Sequence, residues 1–320
     1  MGYTNRLTHM KKYLLISLVA FAAMFCGVLR AQTVQYSLDL EPFSAIEVSG
    51  PFRVSLVSGS QYRTLISVLE PYKEFVECSA SAGVLSLTLD EKKVPSEIKK
   101  KYRAKGTPDP VYDAIIYVPE LIRSVHLSGK AVLHDTEDLF DKARASFEVE
   151  GNAAIEPLAL SSLIISLDVK GKGTADMKVS CRESEVRLAG SGVINLSGDA
   201  QECDWQVQGP SKFNANVSGG NLFLAAKGNS DSFLSGTAES AKFDIGGTAE
   251  VDASRMEVTS ANVTMSSVCK LSVNALQTLK VNLNGGSTLL FAGEPSIVVD
   301  NIRSATMSHL KVAAITSGKL

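Results

Sequence analysis

At 320 residues, with 45% hydrophobic and 21% charged side chains and a formal net charge of −2, the chain has a globular composition and ample length for a core. The first 31 residues carry Arg6, Lys11, Lys12 and Arg30 and no acid, so the remainder holds 28 basic against 34 acidic side chains. That balance argues against a nucleic-acid partner.

Lys11-Lys12 followed by the apolar run Tyr13 to Phe25 reads as the charged and hydrophobic regions of a signal peptide, with Met1 or Met10 as the start. The small residue Ala31 marks the expected cut, leaving Gln32 first and residues 32–320 as a single domain. Lipidation at Cys26 is disfavoured by the bulky Phe25 before it. The apolar run is short for a membrane span, and the mature chain holds none longer. Without Cys26, the remaining Cys78, Cys181, Cys203 and Cys269 are even in number, as export allows. Cys203 follows Cys181 by 22 residues, three positions out of register with the repeat described below, so buried free thiols are expected rather than a bridge.

The alternating segment Gln32 to Leu40 is expected to open the fold as its first strand. Ile46-Glu47-Val48-Ser49-Gly50 follows, then strands at Phe52–Val57 and Thr64–Leu69 around the turn Ser58-Gly59-Ser60. Gly83 leads into the strand Val84–Leu89. From residue 90 to 110 the pattern breaks into a basic insertion containing Lys92, Lys93, Lys99, Lys100, Lys101, Arg103 and Lys105. Pro95-Ser96-Glu97 marks a helix start there. The insertion reads chiefly as a solvated loop. Lys99, Lys100, Lys101 and Arg103 are nevertheless the residues best placed to meet an anionic glycan or lipid head group.

From Val125 the phrase apolar-polar-apolar-polar-Gly returns in a ladder. It reads Val125 to Gly129, Phe147 to Gly151, Leu167 to Gly171, Val186 to Gly190, Trp205 to Gly209, Leu224 to Gly228, Phe243 to Gly247 and Val281 to Gly285. Successive starts lie 22, 20, 19, 19, 19 and 19 residues apart, and the last step is 38. Alternation with period two makes the phrase a strand, and its Gly supplies a bend. A second short apolar segment and a third position, Cys181, Ala200, Gly219, Ala238 and then Leu276, complete each repeat. This is the pattern of an all-β fold, a right-handed parallel β-helix of about 19 residues per turn. Its inward columns are Val186, Trp205, Leu224, Phe243 and Leu188, Val207, Ala226, Ile245. A slip of one residue is expected near Ser266, and Leu310 to Ile315 is expected to cap the last turn.

The segments Phe43 to Val54, Gly83 to Leu87, Val118-Pro119-Glu120-Leu121 and the Ser128-Gly129 repeats resemble the auto-transporter adhesin head GIN domain family, common in exported proteins of Bacteroidetes. The resemblance covers most of the mature chain. It implies a right-handed parallel β-helix at the cell envelope and contributes no catalytic residue.

Chemistry is sparse. Asp176, Asn195, Asn214 and Asp252 share nearly one register, interrupted by Phe233, and read as a side-chain ladder satisfying turn amides rather than as a metal or catalytic site. The three mature histidines, His126, His134 and His309, lack metal-ligand spacing, and no Gly-x-Ser-x-Gly elbow enters a helix. Trp205 is expected in the core. No catalytic, metal or cofactor residue is assigned. The favoured reading is a non-enzymatic envelope protein that binds a glycan or a protein partner, in the periplasm, at the outer membrane or on the cell surface. The alternative is a carbohydrate-active β-helix enzyme, a polysaccharide lyase or hydrolase, which would need acids and bases converging on adjacent turns.

Overall fold

The computed structural model describes residues 33–102 and 112–310. The signal segment 1–31, Arg103 and the insertion residues that follow it, and the proposed cap beyond Leu310 lie outside the described residues.

The chain first builds β1 (Thr33–Asp39), β2 (Ala45–Gly50), β3 (Arg53–Ser58) and β4 (Arg63–Leu69). A 3-10 turn at Glu70–Phe75 leads to the hairpin β5 (Val76–Ser81) and β6 (Val84–Leu89). Helix α1 (Ser96–Tyr102) interrupts the strands, and β7 (Asp113–Val118), β8 (Ser124–Gly129) and β9 (Val132–Leu133) follow. Next come β10 (Arg144–Val149), β11 (Ala154–Ser161) and β12 (Ile164–Gly171). Long bent strands, each close to one full turn, then make the regular body: β13 (Thr174–Gly190), β14 (Val193–Gln208), β15 (Lys212–Lys227), β16 (Asp231–Ile245), β17 (Glu250–Met265) and β18 (Lys270–Asn284). Short strands β19 (Thr288–Ala292), β20 (Ser296–Arg303) and β21 (Thr306–His309) end the described ladder.

From β8 onward every pairing is parallel, giving a solenoid of about 10 turns with about 19 residues each. The expected columns are present: Val186 pairs with Trp205, Trp205 with Leu224 and Leu224 with Phe243, while Leu188, Val207, Ala226 and Ile245 align beside them. All eight are buried, because period-two alternation directs every second side chain of each rung into the interior. Trp205 is fully enclosed. Its Nε1 donates to Ser184 Oγ at 3.2 Å and its ring meets Phe213 edge-on at 5.0 Å, so both its apolar body and its polar handle are satisfied internally.

The first rungs depart from the expected order. β1 does not open the solenoid: it pairs antiparallel with β4, and β4 pairs antiparallel with β7. The phrase strand β2 is intercalated, with Ile46 between Leu85 of β6 and Val125 of β8. β3 likewise lies between β7 and β9. The turn that comes first in sequence therefore sits one layer in, and the hairpin β5–β6 and the antiparallel pair β1–β4 close the end of the stack. The turn Ala82-Gly83, with φ of +52° and +80°, suits the two-residue connection of β5 to β6. Antiparallel strands at this end replace an open parallel rung, the edge such a ladder must otherwise protect.

Two further expectations need correction. The one-residue slip is in place by Val263, but it originates upstream, where Phe233 pairs with Asp252 and Ser235 with Arg255, so that Ala253 and Ser254 face the single Leu234 and one extra residue bulges after Asp252. The next turn recovers by shortening, with Val263 on Val281. That shortening also moves the third apolar position: Ala275 pairs with Val258 and is buried, whereas Leu276 turns outward, 45% exposed. At the far end the columns run out into Val299, paired with Val281, and Ile302, paired with Leu283, both exposed on the last rung. The Leu310 amide donates to the Phe291 carbonyl at 2.6 Å.

A second stack, unnoticed in the sequence, lines the corner two residues past the phrase Gly. Ala131, Ala153, Gly173, Gly192, Ser211, Ser230, Ala249, Cys269 and Ser287 each offer a carbonyl to an amide of the following turn. A Cβ on Gly192 would lie 2.5 Å from the Gly173 carbonyl oxygen, so that position takes no side chain without a backbone shift, and the other members of the stack are small residues, Gly, Ala, Ser or Cys.

A candidate binding groove on the outer face

Asp176 pairs with Asn195, Asn195 with Asn214, Asn214 with Phe233 and Phe233 with Asp252. These five therefore stand side by side on a strand face, not at a corner as the sequence suggested. Rungs ~4.8 Å apart make the row ~19 Å long. Ser197, Asn216, Ser235 and Arg255 form a parallel row two residues on. Together the rows border an open groove of about 430 Å³.

Within the groove the amides bond to each other rather than to turn backbone: Asn214 Nδ2 donates to Asn195 Oδ1 at 2.8 Å. Asp252 alone behaves as a turn acceptor, its Oδ1 receiving Ser254 N at 3.0 Å and Ser254 Oγ at 2.6 Å. Those bonds brace the bulge that places Arg255 beside Ser235. Phe233 is 54% exposed, the only aromatic among the large exposed apolar side chains of the described residues. In sequence it interrupts the polar row. Its register position between Asn214 and Asp252 makes it the fourth member of the row of five.

The acids of this row do not form a hydrolytic pair. Asp176 and Asp252 are separated by four rungs, ~19 Å, whereas glycosidase carboxylates work at about 5–10 Å.

The basic insertion is partly anchored. Val94 is buried and Ile98 packs against the core, which holds α1 to the body, and Lys93 pairs with Glu77 at 3.2 Å. Lys99, Lys100 and Lys101 occupy the last turn of α1, with Lys100 and Lys101 exposed. None of them borders the groove around Phe233.

A third cluster lies on the outer face of the phrase strands. His126, Glu148 and Glu150 bring donor atoms within 4.8 Å of one another, although no sequence spacing announced them. The signal was the turn length: His126 and Glu148 are 22 residues apart and so are cross-rung neighbours. The place is occupied by a lysine. Lys170 Nζ donates to Glu148 Oε1 at 2.5 Å and lies 3.4 Å from Glu150 Oε1 and 3.5 Å from Asp168 Oδ2. The Lys170 hydrogen bond draws the Glu148 carboxyl below its usual range, and the same bond raises the Lys170 ammonium. His134 is similarly engaged, by Glu156 and by Arg53, and His309 stacks edge-on against Phe291 at 5.0 Å.

Cys78, Cys181, Cys203 and Cys269 are free thiols, as expected. Burial pushes Cys78 and Cys181 up to about 11 and Cys203 up to about 12, which suits packing rather than nucleophilic chemistry. No helix of the described residues is long and apolar enough to cross a membrane.

The described residues define a parallel β-solenoid with a polar groove on its outer face. The family model described as "Putative auto-transporter adhesin, head GIN domain" matches residues 42–217 and 206–295, and the chain belongs to that family. Among solved structures it is similar to one described as a putative adhesin from Parabacteroides merdae, at 13% identity and TM-score 0.49, covering 88% of this chain and 97% of that one. It is also similar to one described as a putative lipid binding protein from Parabacteroides distasonis, at 15% identity and TM-score 0.45, with 88% and 97% covered. A third, described as a putative adhesin from Bacteroides fragilis, matches at 12% identity and TM-score 0.35, with 89% and 100% covered. No curated protein matches the chain. The family and these neighbours are named for adhesion or lipid binding, not for catalysis.

Proposed function

We propose that this is an exported, non-enzymatic protein of the cell envelope that binds an extended partner, a glycan or another envelope protein, through the outer face of its solenoid. The observation that carries the reading is the groove at Phe233, where a solvent-facing aromatic ring stands in a row of amides and carboxylates on successive rungs. A solenoid presents such rows at fixed spacing, which suits long partners better than compact ones. The family name agrees with a surface role. Residues 1–31 would serve as the export signal, with Gln32 as the mature N-terminus.

The test is a panel of glycans and envelope fractions incubated with the mature chain and assayed for both retention and cleavage. Retention without cleavage is expected. Turnover of any polysaccharide, lost in Asp176→Ala or Asp252→Ala without unfolding, would sink this reading in favour of an enzyme. If retention instead weakens when Lys99, Lys100 and Lys101 are changed to Gln, the binding face is α1 and not the groove. N-terminal sequencing of envelope material should begin at Gln32.

A further inference from the structure

The groove around Phe233, we infer, is a subsite for a neutral, equatorially linked pyranose chain lying along the solenoid axis. This rests on the binding reading above and names the ligand class.

Four observations narrow the occupant. First, the backbone of the groove is spent. From Val193 to Ser232 the rungs pair in unbroken parallel register, so their amides and carbonyls bond to neighbouring turns. A peptide strand could gain no main-chain ladder there, and a ligand must be read by side chains. Second, those side chains suit hydroxyl groups. The Asn214–Asn195 bond leaves Asn214 Oδ1 and the Asn195 amide nitrogen for the ligand, an acceptor and a donor on adjacent rungs. A sugar hydroxyl is both donor and acceptor, so a row of them can engage this alternation. Phe233 supplies what the amides lack, a flat apolar face for the C–H side of a pyranose ring.

Third, charge gives acidic chains no advantage. Along the rows from Asp176 to Asp252 the two carboxylates are balanced by Arg255 and by Lys178, which pairs with Ser197 in the second row. A polyuronate would meet no net attraction. Fourth, the periods match. Rungs repeat every ~4.8 Å, close to the ~5 Å advance of one equatorially linked pyranose residue, so successive sugars fall opposite successive rungs. The ~19 Å row from Asp176 to Asp252 then accommodates about four sugars.

The bulge after Asp252 falls in this row. β14, β15 and β16 pair without a shift, and the β16–β17 ladder breaks register between Phe233 and Ser235, where the extra residue turns Arg255 toward the groove. Bulges recur where a side chain must be re-aimed, and this one is braced from within the groove by Asp252. A lipid tail would leave those polar rows unpaired, which makes acyl chains the poorer fit.

The experiment is isothermal titration of the mature chain with β-1,4-linked hexasaccharides of glucose, mannose and N-acetylglucosamine, against maltohexaose and hexagalacturonate. At least one neutral β-linked hexasaccharide should bind. Phe233→Ala should weaken it by about 10-fold, Asn214→Ala should weaken it too, and Phe233→Trp should retain it. Both truncated side chains are surface residues, so unchanged melting curves serve as the folding control. Binding by none of the three neutral chains, preference for hexagalacturonate, or equal affinity in Phe233→Ala and Asn214→Ala overturns the assignment. Envelope retention separates this from the broader reading. If envelope material holds the parent and Phe233→Ala alike, the groove is wrong and the binding role stands. If neither envelope nor hexasaccharide is held, both fall.

Discussion

Gly285 stacks on Ser267, and both hold a left-handed backbone, φ +70° and +73°. Ser267 thus takes the glycine position in the turn Val263-Thr264-Met265-Ser266-Ser267, the phrase hidden in the 38-residue step between Phe243 and Val281. A serine there carries a Cβ penalty of about 1–2 kcal/mol. Ser267→Gly should raise stability by about 1 kcal/mol, the entropy of the freer unfolded chain offsetting part of the gain. Gly247→Ala should lose at least that much, since its Cβ would come 2.7 Å from the Gly228 carbonyl oxygen. Urea denaturation of the two variants reads both signs.

Ile245 stands within one inward column, between Ala226 and Met265, and is fully buried. Ile245→Asp would bury an unpaired carboxylate and cost several kcal/mol. Trp205→Ala removes the largest core side chain and strands the Ser184 hydroxyl, for a loss of about 3–5 kcal/mol. Melting curves that match the parent for either variant would show that the columns are misassigned.

The thiols make a kinetic and a pH prediction. At pH 8 in native buffer, Cys203 should react with a disulfide reagent roughly two orders of magnitude more slowly than in urea, because burial holds it protonated. Its folded pKa is raised above the unfolded value, so its contribution to stability is complete below the unfolded pKa of about 8.5 and is lost as pH climbs through about 12. Cys78 and Cys181 lose theirs near about 11. A denaturation series from pH 8 to 11 should therefore show falling stability, less steep in Cys203→Ala.

Lys170 sets the Glu148 carboxyl low by hydrogen bonding to it. In Lys170→Met the Glu148 titration, followed by side-chain NMR, should move up. The depressed folded pKa means the stabilisation is present above the unfolded value and disappears as pH falls through the folded one. Both groups are 40% or more exposed, so the loss at pH 7 should stay under about 1 kcal/mol.

The amino-acid sequence by itself determined the solenoid, its turn length and its inward columns, because period-two alternation and a bend-forming Gly are local properties repeated every 19 residues. It also placed Trp205 inside and kept the cysteines unbridged. The tertiary structure alone decided what depends on which turn lies beside which. Nothing local in Ile46 to Gly50 says that Leu85 will lie outside it, since parallel and antiparallel partners satisfy the same alternation. The groove was legible only in part. Asp176, Asn195, Asn214 and Asp252 appeared in one register, but Phe233 counted as a break until the rungs were stacked and the bulge after Asp252 was located. A bulge changes the count by one residue without altering composition, so only the pairing of neighbouring turns reveals where it sits.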